Sequence, residues 1–151
     1  MLSDIYNQRI LELAADIPRL GRLPDPDGSA RAHSKLCGST ITVDLKTDGA
    51  VVTDFAHDVK ACALGQASSS IMARHVVGAS VGELRELRDT MRRMLKENGP
   101  VPGGRWADLA ALEPVRDYKA RHASTMLTFD AVDDALDQAD AARATSREAA
   151  E

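Results

Sequence analysis

Apolar positions along this chain recur first at helical spacing, then alternate, then return to helical spacing. Tyr6, Ile10, Leu13 and Ile17 lie on one helical stripe that Ser3 can cap and Pro18 closes. Residues 21–28, with Pro24, Pro26 and Asp27, read as a loop. Ile41, Val43 and Leu45 then alternate with Thr40, Thr42, Asp44 and Lys46, the period-two pattern of a half-buried strand. Asp48-Gly49 suits a tight turn, and a second strand over roughly residues 50–57 returns antiparallel. Short segments flanking this hairpin can supply a third strand.

From Cys62 onward the helical period resumes. Leu64, Ala67, Ile71 and His75 share one face of a helix ending near Gly78. Ser80-Val81-Gly82-Glu83 fits a capping box, in which Ser and Glu satisfy each other's backbone N–H groups. The helix it opens carries Leu84, Leu87, Met91 and Met94 and stops at Asn98-Gly99-Pro100. A short helix over Trp106–Leu112 and a last helix through Phe129, Val132, Leu136 and Ala139 complete the pattern. Strands precede helices instead of alternating with them, so the fold class is α+β: a small antiparallel sheet with helices packed on one face. We assign one domain over residues 1–139, with an Ala-rich, charged tail at 140–151 expected to fray.

Composition narrows the function classes. A chain of 151 residues with 44% hydrophobic and 28% charged residues is sized and composed as one soluble domain. Aromatics are only 3%, so Leu, Val, Ile, Met and Ala must build the core. The net charge of -4, without a dense Lys/Arg block, argues against a nucleic-acid partner. No apolar run approaches the roughly 20 residues of a membrane-spanning helix, so no membrane association is expected. The first residues carry no secretory pattern, and with only Cys37 and Cys62 present a reducing cytoplasmic location is expected.

Those two cysteines are the candidate chemistry. Cys37 lies in Leu36-Cys37-Gly38-Ser39 just before the first clear strand, and Cys62 starts the helix beyond the hairpin. A hairpin brings its two ends together, so both thiols can share one site. The partial positive charge at a helix N-terminus favours the thiolate, which is both a nucleophile and a soft metal ligand. Free cysteines also serve as small buried hydrophobes, and spacing alone leaves both readings open. Ser68-Ser69-Ser70 lacks the Gly-x-Ser-x-Gly elbow of a hydrolase, and Gly103-Gly104 lacks the Lys-Ser/Thr of a phosphate loop.

Taken together, these segments resemble a known family. The Leu36–Ser39 motif, the Thr40–Asp54 hairpin and Ala61-Cys62-Ala63-Leu64-Gly65-Gln66-Ala67-Ser68-Ser69-Ser70 are similar to the iron–sulfur scaffold family of the IscU, SufU and NifU N-terminal type. Leu109–Leu112 through Val115, followed by Ala120-Arg121-His122-Ala123-Ser124-Thr125-Met126-Leu127, resembles its SufU branch. The resemblance implies a NifU/SufE-like scaffold fold and a role in iron–sulfur cluster assembly, as a scaffold or carrier more than a stand-alone enzyme. It implies a [2Fe–2S] cluster or iron as cofactor, or zinc, with a cysteine desulfurase and downstream iron–sulfur acceptor proteins as partners. Two other readings are a zinc-dependent sulfurtransferase partner of the desulfurase and a metal-free binding module on the same fold.

In the family, three cysteines and an aspartate surround the metal. Cys37 and Cys62 match the first two cysteines, Ser39 stands at the aspartate position, and Ser124 stands at the third cysteine. Neutral hydroxyls are poor donors for zinc or iron–sulfur clusters. His122, two positions before Ser124, is the candidate replacement ligand if strand-like alternation puts both on one side. The expected metal set is therefore Cys37, Cys62 and His122, with Cys37 and Cys62 binding the cluster.

Overall fold

A computed structural model describes residues 5–36 and 38–150, with side chains through Thr145. Helix α1 spans Gln8–Ala15, capped by Asn7, whose side chain accepts the Ile10 N–H. Ser3, expected to cap this helix, lies outside the described residues. The helix buries Ile10 and Leu13.

The sheet has three antiparallel strands in chain order: β1 (Gly28–His33), β2 (Thr40–Thr47) and β3 (Val52–Lys60). Ile41, Val43 and Leu45 point into the core as the alternation predicts. Their partners across β3 are Val59, His57 and Phe55. The β2–β3 connection is longer than a two-residue turn. Asp48 donates its N–H to the Val51 carbonyl and accepts the Ala50 and Val51 N–H groups on its carboxylate. Gly49 takes φ +98°, which favours glycine.

On the outer face, Asp44 is fully buried beneath the 19–27 loop. Its carboxylate accepts Arg22 Nε at 2.6 Å, Ser29 Oγ at 2.6 Å and the Leu23 N–H at 3.1 Å. This staple holds the proline-rich loop against the sheet.

Helix α2 (Ala63–His75) follows β3, and α3 (Val81–Lys96) opens with the expected capping box. Residues Gly104–Asp117 form a long 3-10 stretch, where a shorter helix was expected. Its buried positions Trp106, Leu109, Leu112 and Val115 repeat every three residues, so a three-residue turn stacks them on one face.

Helix α4 runs from His122 to Ala150, through the segment expected to fray. It packs on β1 and β2 and contacts α2 and α3. Arg143 donates to the Thr47 carbonyl, tying the far part of α4 to the end of β2. Arg85 of α3 reaches Asp133, Asp137 and Asp140, while Arg88 reaches Asp130, so ion pairs line the α3–α4 seam. The result is the α+β arrangement read from the pattern. No helix among the described residues is long and apolar enough to cross a membrane.

Candidate functional site at the N-terminus of helix α2

Pairing of Thr40 with Lys60 closes the hairpin and sets the segments before β2 and after β3 side by side. The connection from β1 to β2 is a tight turn. Ser34 donates its N–H to the Ser39 carbonyl at 2.9 Å, and Gly38 donates to the Ser34 carbonyl at 2.8 Å. Gly38 sits at φ +72°, a left-handed conformation that glycine adopts without strain. Leu36, beside it, is 79% exposed. Cys37 lies between them in sequence and outside the described residues.

Cys62 is the N-cap residue of α2 and is a free, partly exposed thiol. Its backbone N–H donates to Ser39 Oγ at 3.3 Å. The hydroxyl at the family's aspartate position thus touches the main chain of the second cysteine. Ser39 itself is buried.

The third segment arrives from α4. A β-carbon built on Gly65 would lie 3.2 Å from the Ser124 carbonyl oxygen. Gly65 is therefore the close-approach residue that admits the start of α4 against the first turn of α2. Sequence reasoning did not single it out, although a glycine inside a helical pattern signals such an approach. Ser124 is buried and its hydroxyl donates to the Arg121 carbonyl at 3.2 Å. Ser39, Cys62 and Ser124 thus converge on one end of α2.

His122 does not join them. The stretch expected as a strand-like loop is the first turn of α4, where residues two apart face roughly 200° away from each other. The His122 imidazole Nε2 lies 3.0 Å from the Val115 carbonyl and 3.1 Å from that of Arg116, an arrangement in which Nε2–H donates to both. Its ring lines a cleft against α3, on the other side of α4 from Ser124. His57 is fully buried with Nε2 2.8 Å from the Pro18 carbonyl. Burial pushes its pKa below the ordinary histidine value, against the opposing effects of that carbonyl and of Asp58. It anchors the chain after α1.

The donor set does not by itself complete a resident metal site. Among the described residues, Cys62 offers one thiol, and Ser39 and Ser124 offer neutral hydroxyls. No three His, Cys, Asp or Glu side chains among the described residues gather at Cys62. The group that does gather is Asp133, Asp134 and Asp137 on α4, where Arg85 pairs with Asp133 and Asp137.

The chain has matches among known proteins. The model for the NifU-like N terminal domain matches residues 5–125. This chain belongs to that family. A nitrogen-fixing NifU-like protein (N-terminal) from Brucella abortus is 66% identical in its crystal structure, with a TM-score of 0.90 over 92% of this chain and 96% of that one. The iron–sulfur cluster assembly scaffold protein IscU of Thermotoga maritima is 26% identical over 132 residues, 87% of this chain and 92% of that protein. A putative iron–sulfur cluster assembly scaffold protein for the SUF system from Fervidobacterium islandicum shares the fold, with a TM-score of 0.81 at 19% identity over 89% of this chain and 98% of that one. Within the NifU-like family, the segments that this structure brings together at α2 are those that carried the resemblance in sequence.

Proposed function

We propose that this chain works in iron–sulfur cluster assembly as a scaffold-like or sulfur-accepting protein, with Cys37 and Cys62 as its reactive thiolates. The observation that carries this reading is the convergence of Ser39, Cys62 and the Ser124 segment on the N-terminus of α2. Membership of the NifU-like family and the scaffold role named for its Thermotoga relative support it. In this reading the sulfur donor is a cysteine desulfurase and the recipients are iron–sulfur acceptor proteins in the cytoplasm.

The sulfur step is a thiol–disulfide type exchange. A cysteine thiolate of this chain attacks the outer sulfur of the desulfurase persulfide. A new S–S bond forms on this chain, and the desulfurase cysteine leaves as a thiolate. Iron, zinc or a [2Fe–2S] unit is then cargo held by the thiolates, not a fixed structural centre. Hydroxyls at 39 and 124 add little to such a bond, because soft or borderline metals prefer thiolate and imidazole donors. Weak holding suits release to an acceptor. His122 is not carried into this ligand set, because it lines the cleft against α3, on the other side of α4 from Ser124.

Anaerobic purification followed by metal and acid-labile sulfide analysis tests the reading, together with detection of sulfane sulfur after incubation with a desulfurase. The expected result is bound metal, sulfide or persulfide in the parent protein that is lost in Cys37→Ala and Cys62→Ala. A folded parent protein that takes up none of these would overturn it. The serines at 39 and 124 would then favour a metal-free binding module.

A further inference from the structure

A cleft of about 750 Å³ opens between the second half of α3 and the chain running from Arg116 into the first turns of α4. Its charge is lopsided. Arg88, Arg92, Lys96, Arg116 and Lys119 line it against only Asp117 and Asp130, although the whole chain carries a net charge of -4. Some of that charge is already engaged. Arg88 bonds Asp130 at 2.8 Å, Arg92 stands 3.9 Å from the Asp89 carboxylate, and Arg116 reaches the Gly99 carbonyl at 3.3 Å and Glu113 at 3.5 Å. Lys96 and Lys119 are exposed and pair with no carboxylate among the described residues. The floor is apolar, made by the buried side chains of Leu95 and Met126.

The spacing of the cations indicates what fits. Arg88, Arg92 and Lys96 stand at successive i, i+4 positions of α3, which places them roughly 6 Å apart along the helix axis. Alternate side chains of an extended peptide are spaced by nearly the same distance, roughly 6.6 Å. An extended segment with a carboxylate at every second residue can therefore meet Lys96 and, one step back, Arg92, while Arg88 stays with Asp130. Nucleotides fit less well, because no Phe, Tyr or Trp lines the cleft to stack a base. A single phosphate would leave most of the volume unfilled.

We infer that this cleft docks an acidic, extended segment of a protein partner. Its wall includes His122 and Ala123, while the adjoining Ser124 faces the other side of α4, towards Gly65 and the start of α2. Cys62 is not among the residues that line the cleft. This inference stands on charge and shape alone and does not depend on what Cys62 carries.

The test is fluorescence anisotropy of the full chain with a short fluorescein-labelled peptide of alternating glutamate and threonine, at low salt, beside its glutamine counterpart. The expected result is saturable binding of the glutamate peptide, no binding of the glutamine peptide, and weakening by added salt. Lys96→Glu with Lys119→Glu should weaken binding by at least about tenfold. Arg31→Glu with Lys46→Glu makes the same change of net charge on β1 and β2 and should leave affinity within about twofold. Thermal unfolding checks that each variant is folded, and Lys96→Gln with Lys119→Gln replaces the reversal pair if that pair is destabilised. Equal losses in the cleft and sheet pairs would overturn the proposal, since only net charge would then matter. Displacement by inorganic phosphate beyond that by chloride of equal ionic strength would assign the cleft to small anions instead. Tighter binding of a labelled single-stranded RNA would overturn it in favour of nucleic acid.

Discussion

Gly65 and Ser124 meet where helix α2 begins: a β-carbon on Gly65 would stand 3.2 Å from the Ser124 carbonyl oxygen and 2.8 Å from the Ala61 β-carbon. This contact presses the first turn of α4 against the turn that carries Cys62. Glycine is here for closeness, not for an unusual dihedral.

Substituting Gly65→Ala should therefore destabilise the protein. In an exposed helix the change would gain about 1 kcal/mol through helix propensity. Here the added methyl has to displace Ala61 or the start of α4, an overpacking cost of about 1–3 kcal/mol. Denaturant unfolding of parent and variant measures the sign. A stabilised variant would mean that the two helices separate at no cost.

The metal-binding prediction concerns the serines. Ser39→Asp with Ser124→Cys should raise zinc affinity at least about tenfold, or about 1.4 kcal/mol, in a competition titration. His122→Ala should leave the zinc titration unchanged, because its ring faces the opposite side of α4 from Ser124. Loss of zinc binding in His122→Ala would return this imidazole to the ligand set.

Where the chain states its structure in local terms, the sequence was readable. Ser80 and Glu83 form the capping box their spacing implies, and Ile41, Val43 and Leu45 turn inward as alternation requires. Strand β1 was legible only as an unplaced segment flanking the hairpin, because Gly-Ser-Ala-Arg-Ala-His has no β-branched or aromatic residue to fix its bounds. It becomes a strand by pairing with β2 and lying under α4, a long-range cause. The start of α4 was hidden in a similar way. Ser124, Thr125 and Thr128 are buried polar residues, so the apolar stripe begins late. The motif around Cys62 was legible, but the bond from its N–H to Ser39 joins residues far apart in the chain. No local pattern encodes it.

Asp44 should make the protein acid-sensitive. Burial alone would raise its pKa, yet bonds from Arg22, Ser29 and the Leu23 N–H, with the Arg22 charge, hold it below the ordinary carboxylate value. A depressed folded-state pKa contributes stability above the unfolded value of roughly 3.9 and loses it as pH falls through the folded value. Asp44→Asn should cost about 2 kcal/mol at neutral pH by leaving its donors poorly paired. It should also flatten the melting curve below about pH 4. A variant that keeps the parent's acid limb would move that sensitivity to another group.

His57 acts at milder acidity. Its folded-state pKa is lowered by burial, so the unfolded chain binds the proton more readily. Stability contributed by the neutral ring is present above roughly pH 6.5 and declines as pH falls from there towards the folded value. The melting temperature should thus drop between about pH 7 and 5, and His57→Gln should reduce that slope. An identical slope in the variant would exclude His57 as its source.

The placement of α4 has a further consequence for how the molecule is made. A β-carbon on Gly28 of β1 would lie 1.9 Å from the Ala135 carbonyl oxygen, and Ser29 donates its N–H to Gln138. The first strand is thus covered by the last helix, a pairing of residues separated by most of the chain. Until α4 has left the ribosome, β1 and β2 lack the helix that covers them, and only the β3 side of the sheet can pack on α2. Closure of so long a loop is slow compared with hairpin formation, so the half-made protein passes through a stage with part of its apolar sheet bare. During that interval, a cell would need either prompt completion of the chain or a chaperone to shield the sheet.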